Sequence, residues 1–269
     1  MIGGTDEALW TRKELKQNAW NSLKPHYWAA LGASLLAGLL GGTQASGKLD
    51  FSEIPSAYEN LVTMYMQEGG VESEAYAAAL VTLGIILLIA VPIGLVLYAF
   101  LSGPVNVGYC KFFMQAREND VQISHLFSAF TGGRYMNIVK VMFLRCLYTS
   151  LWSLLFVIPG IVKGYEYYLI PYLLAENPNL PKDRAFAISK QAMNGEKWNV
   201  FVLELSFIGW YLLGLLACCV GMFAVVPYEK ATYTEFYACM RAKIVAQGIA
   251  AEEELTGGVI SAAQNPYDM

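Results

Sequence analysis

Charge is what this sequence has least of. Only 15% of its 269 residues are Asp, Glu, Lys or Arg, where ordinary soluble domains carry roughly 25%. Histidine occurs twice, at His26 and His125, far apart and without HExxH spacing, which leaves no histidine-built zinc site. The five cysteines, Cys110, Cys146, Cys218, Cys219 and Cys239, form no CxxC pair and sit in or beside apolar runs. They read as small apolar residues. There is no GxSxG elbow, no phosphate-binding loop and no histidine near a nucleophile, so no hydrolytic or redox chemistry and no cofactor is expected, and the chain is not read as an enzyme.

In place of charge there are long apolar runs. Hydrophobic residues make up 56% of the chain, and six segments, 27–42, 76–103, 136–158, 161–175, 200–217 and 222–242, are candidate membrane spans. A crossing needs about 20 residues at 1.5 Å each to cover ~30 Å of hydrocarbon, and the fourth and sixth segments fit that least well. The small residues Thr43, Gln44 and Ala45 after the first run allow a signal-peptide reading. The long, helix-patterned charged lead before that run argues for a retained span instead.

The few charges are unevenly placed. Lys and Arg number four in residues 1–25, four in 109–140, four in 175–199 and three in 230–251, whereas 43–75 has only Lys48 against six acids. By the positive-inside rule the basic segments and both termini are cytoplasmic and the acidic loop is outside. An even number of crossings follows, so the expected fold is an all-α, six-span helical bundle built around two broken hairpins. Its expected parts are a cytoplasmic amphipathic N-terminal helix (1–25), a membrane domain (26–247), and a flexible acidic tail (248–269). The membrane domain includes an outer loop at 43–75 and a cytoplasmic amphipathic segment at 177–198.

Three cytoplasmic pieces carry helix signals. Thr11 and Glu14 form a capping box ahead of Leu15, Ala19 and Leu23, which reads either as an interfacial helix or as a lead-in to the first span. Ser124 opens a short piece with Leu126, Phe127 and Phe130. Pro181 starts and Asn194-Gly195 stops a third, with Ala185, Ile188 and Ala192 on one stripe and a basic face that suggests lipid contact. In the outer loop, Ser56 and Glu59 repeat the capping pattern and predict a short external helix ending at Gly69-Gly70.

Ionisable groups inside apolar segments cost on the order of 2.5–3.5 kcal/mol each at mid-membrane, so each needs a partner or a task. The hairpin breaks are expected at Pro159-Gly160 and near Gly221. Counting from them puts Arg145 and Glu204 both roughly 21–22 Å down, where they are expected to form an ion pair. That pair is either packing glue or part of a pathway. The same count sets Glu166 and Glu229 about 10–12 Å below the outer surface, with Lys163 and Lys230 beside them as a candidate polar cavity. Pro92, Pro104, Pro171 and Pro227 each free a backbone carbonyl that something must satisfy. Small residues at every fourth place in the first span, Ala29, Ala33, Ala37 and Gly41, mark a packing helix and leave dimerisation open.

Several passages together resemble a known family. They are TRKELKQNAWNSLKPHYW, GPVNVGYCKFFMQARE with HLFSAF, LWSLLFVIPGIVKGYEYYLIPYLLAENP, ISKQAMNGEKW, and LSFIGWYLLGLL followed by VVPYEKATYTEFY. In order and from Thr11 to about Arg241, they resemble the bacterial multipass membrane family catalogued as domain of unknown function 975. The resemblance implies a bacterial, mainly Gram-positive, integral membrane protein and no activity that maps onto residues. The IPG hairpin with Ser189 to Gly195 is also similar to the membrane anchor beside some glycerophosphodiester phosphodiesterases, whose catalytic part has no counterpart here. Cys218-Cys219-Val220-Gly221 departs from the family's usual Thr-Gly-Ile-Gly type of turn. The expected role is a plasma-membrane scaffold or accessory subunit contacting lipid, an unidentified protein partner or a second copy, and no nucleic acid. The alternative is a small-solute or ion transporter using the intramembrane charges.

Overall fold

The computed structural model describes residues 10–40, 73–131, 133–216 and 220–257, and every regular element among them is helical. The expected outer-loop helix at 56–69, the turn at 217–219 and the chain after 257 lie outside the described residues. Among the described residues one helix, Tyr135–Leu155, is long and apolar enough to cross a membrane.

Helix α1 (Arg12–Leu23) starts at the expected capping box: the Glu14 amide donates to the Thr11 hydroxyl at 3.3 Å and the Thr11 amide to the Glu14 carboxylate at 3.1 Å. Its apolar stripe is not laid on lipid. Leu15, Ala19 and Leu23 are buried by protein, and Trp10 meets Phe236 edge-on at 5.2 Å. A 3-10 turn at Lys24–His26, with Pro25 in it, leads to α2 (Tyr27–Leu39). Trp20 packs on Tyr228 at 6.0 Å, and Ser34 bonds the hydroxyl of Tyr109, whose ring lies under Lys230. Helix α1 therefore leads into the first apolar run through a 3-10 turn, with His26 leaving helical backbone at φ −121°. Ala30, Ala33 and Ala37 of α2 are buried, as the small-residue stripe requires.

Helix α3 (Ser73–Leu97) widens into a π turn at Tyr98–Ser102 and continues as α4 (Gly103–Arg117). Pro104 is the cause, because it has no N–H for the carbonyl four residues back. That carbonyl, on Phe100, accepts the hydroxyl of Tyr135 instead. The piece expected from Ser124 is a 3-10 segment, Ile123–Phe130, that lies against α4 with Leu126 and Ala129 buried. It comes so close that a Cβ on Gly108 would be 1.8 Å from the Leu126 carbonyl oxygen.

The first broken hairpin turns three residues earlier than expected. Helix α5 (Tyr135–Leu155) ends at the extended residue Phe156, and α6 (Val157–Glu166) follows at once. Pro159 lies in the first turn of α6, where a missing N–H costs nothing. Gly160 is the crossing point, where an added Cβ would be 2.6 Å from the Ser153 Cα. The return leg is not one helix: α6 stops after 10 residues, residues 167–169 turn, and α7 (Ile170–Glu176) completes it. It ends beside the start of α5, where Asn137 donates to the carbonyls of Pro178 and Leu180 at 2.8 and 3.0 Å.

Helix α8 (Lys182–Ala192) has the expected limits, with Gly195 in the left-handed region at φ 83°. Its stripe of Ala185, Ile188 and Ala192 is fully buried in the main core, not on lipid. The second hairpin is α9 (Lys197–Leu216) and α10 (Val220–Ala246), with Gly221 already inside the first turn of α10. Its feet are joined by Lys243 and Glu196 at 3.1 Å. Chain expected to be a flexible tail from Gly248 folds instead. Helix α11 (Glu252–Thr256) buries Leu255, and Arg184 grips Glu254 with two hydrogen bonds of 2.6 and 2.8 Å.

Candidate functional site

The buried charges come from α5 (Arg145), α6 (Glu166) and α10 (Lys230 and Glu235). Arg145 is 4% exposed, and its Nε donates to the carbonyl of Tyr167 at 3.0 Å. That carbonyl lies four residues before Pro171, which has no N–H to offer it, and also accepts the Ile170 N–H at 3.4 Å. The preceding carbonyl, on Glu166, is bonded by the Ser189 hydroxyl at 2.7 Å. Side chains from α5 and α8 therefore close the open end of α6.

The expected Arg145–Glu204 ion pair is not formed. Glu204 accepts the hydroxyl of Tyr165. Both charges reach the 165–167 stretch from opposite sides, because the end of α6 lies between α5 and α9. Depth counting put them at one level but left out the helix between them.

The expected polar cavity divides in the same way. Glu166 is bonded by Lys163 and by Lys197, both at 2.6 Å, and Lys197 is the first residue of α9, at the basic end. Glu166 thus sits farther from the hairpin tip than the count implied. Glu229 accepts the hydroxyl of Tyr211. Lys230 is enclosed: its Nζ is 3.2 Å from the Cys110 sulfur, 4.7 Å from the centroid of the Tyr172 ring and 5.2 Å from that of Tyr109. Such rings attract a cation through their quadrupoles. Pro159, Gly160 and Gly221, expected as breaks, lie inside helices.

Around this centre lie partners that sequence spacing did not reveal. Tyr237 donates to Glu176 at 2.6 Å, Arg241 joins Glu176 at 2.7 Å and Glu252 at 3.3 Å, and Arg117 meets Glu235 at 3.0 Å. Three half-buried acids, Glu176, Glu204 and Glu229, each hold a tyrosine hydroxyl. The residues that share these three bonds are 18 to 61 apart in sequence, so no local pattern announces them. Among the described residues no three Cys, His, Asp or Glu side chains come together as a metal site would need. At the periphery, the Arg184 guanidinium holds the Glu254 carboxyl below its ordinary pKa through their hydrogen bonds, and His125 does the same for exposed Asp120.

Residues 154–243, from the tip of α5 through most of α10, match the family model described as Protein of unknown function (DUF975). This part of the chain is similar to that family. No curated protein and no solved structure matches the chain. The DUF975 segment supplies Lys163, Glu166, Lys197, Glu204, Glu229 and Lys230, while Arg145 and Cys110 come from outside it. A broken return leg, closed by groups from neighbouring helices, is its chief architectural feature.

Proposed function

We propose that the protein is a multipass protein of the bacterial plasma membrane that serves as a scaffold or accessory subunit, not an enzyme. The carrying observation is the segregation of its surface. Residues 76–110, 146–162 and 205–228 contain no Asp, Glu, Lys or Arg, and from them Leu88, Leu154 and Ile158 are 74%, 84% and 77% exposed. Isolated apolar residues on a surface are unremarkable, but a contiguous array of this kind calls for a lipid or protein cover.

In this reading the six apolar segments lie in the bilayer, the fourth as the broken pair α6 and α7. The basic end, with both termini, faces the cytoplasm. The scaffold role is supported by tight packing where a substrate path would run: Tyr109, Cys110 and Tyr172 are all at most 1% exposed around Lys230. Transport of a small solute or ion is the second reading. It draws on Glu204 and Glu229, which both lie within electrostatic reach of Tyr168 and Tyr233.

Cross-linking in native membranes with mass spectrometry tests the choice. The scaffold reading expects a reproducible protein neighbour and no flux in reconstituted vesicles. Solute flux that Glu204→Gln and Glu229→Gln abolish would replace it with transport.

A further inference from the structure

Between the start of α1 and the foot of α9 lies a furrow of about 370 Å³, lined by Trp10, Thr11, Arg12, Trp198, Asn199 and Val202. One cation lines it and a second follows on the same face of α1. Arg12 lies in its wall, and one helical turn on, Lys16 donates to the Ser206 carbonyl at 3.3 Å with its Nζ 4.3 Å from the centroid of the Phe207 ring. Among the described residues neither has a carboxylate within ion-pair distance, unlike Arg117, Lys163, Arg184, Lys197, Arg241 and Lys243. Glu14, the acid beside them in sequence, is held by Thr11 as the helix cap.

An apolar track leaves the furrow along α9. Trp198 is 70% exposed, and Leu205, Ile208 and Leu212 follow it at helical spacing, all exposed. Unpaired cations below an outward apolar stripe, with tryptophan at the junction, match a molecule that is anionic at one end and aliphatic at the other. We infer that this furrow binds one anionic glycerophospholipid, its phosphate between Arg12 and Lys16 and an acyl chain along Leu205, Ile208 and Leu212. The inference rests on the membrane reading above and names a lipid class and a site within it.

Native mass spectrometry of the full chain in detergent, titrated with phosphatidylglycerol or phosphatidylcholine, tests it. Phosphatidylglycerol should bind in preference, and Arg12→Gln with Lys16→Gln should weaken it by roughly thirtyfold, at about fivefold per cation. The pair Arg12→Lys with Lys16→Arg should retain binding, and melting temperatures of both doubles identify any loss caused by misfolding. Equal binding of the two lipids, or undiminished binding by a folded Gln double variant, would overturn the site. So would displacement of the lipid by glycerol phosphate at similar concentration, which would mark a soluble phosphate site. Those failures leave the membrane reading in place. Recovery of the chain from the soluble fraction without detergent would instead remove both.

Discussion

At one end of the bundle Leu154, Phe156 and Ile158 are exposed on the first hairpin, in a stretch that carries no charged residue between Arg145 and Lys163. At the other end Phe236, Tyr237 and Met240 are at most 2% exposed, and ion pairs tie α4, α7, α8, α9, α10 and α11 together around them. The two ends bury their surfaces differently. The paired end completes its own core and satisfies its own charges, whereas the apolar end leaves large side chains for something else to cover. Between them two α5 side chains act at backbone breaks: the Tyr135 hydroxyl donates to the Phe100 carbonyl, four residues before Pro104, and Arg145 to the Tyr167 carbonyl, four before Pro171.

The contrast can be broken from either side. The largest loss is expected from Gly108→Ala, because the new Cβ would overlap the Leu126 backbone; about 3 kcal/mol or more follows, and thermal unfolding in detergent measures it. Leu154→Asp probes the apolar end. It should cost as much as ~3 kcal/mol in bilayer insertion, seen as reduced accumulation in carbonate-washed membranes, while a water-exposed site would show within about 0.5 kcal/mol of no effect.

A smaller effect is expected at the edge of the paired end, from Arg184→Gln, which frees α11. An exposed pair of this kind is worth about 1 kcal/mol or less. Since Arg184 depresses the Glu254 pKa, the folded state binds this proton less readily than the unfolded chain does. The contribution is present above the ordinary carboxylate range and lost as pH falls through the lowered value. Hydrogen exchange at 249–256, corrected for intrinsic rates, should accelerate on acidification in the native chain. It should be fast at every pH in the variant.

Local signals in the sequence were legible where the physics is local. The Thr11–Glu14 box, the limits of α8 and its buried stripe each depend on residues within a few turns. The gathering of the basic segments at one end was legible from charge counting, since Lys243 meets Glu196 and Arg117 meets Glu235. What covers a stripe was not, because α1 and α8 would show the same pattern against lipid as against protein. Partner choice also escaped: the Arg145–Glu204 expectation rested on a rise per residue that holds only along unbroken helices. Pro171 signalled a freed carbonyl, yet nothing in the sequence said that Arg145, 22 residues away, would take it.

That last contact is the most direct test, because it decides whether the buried charges hold broken helices or pair with one another. Unfolding free energies in detergent for Arg145→Leu, Pro171→Ala, Glu204→Leu and the two doubles containing Arg145→Leu form two cycles. Alanine at position 171 offers the Tyr167 carbonyl a second backbone N–H beside that of Ile170. Arg145→Leu should therefore cost about 1–3 kcal/mol alone and clearly less beside Pro171→Ala. Its effect should add to that of Glu204→Leu within about 0.5 kcal/mol. Additivity with Pro171→Ala together with strong coupling to Glu204→Leu would contradict the account and restore the ion pair.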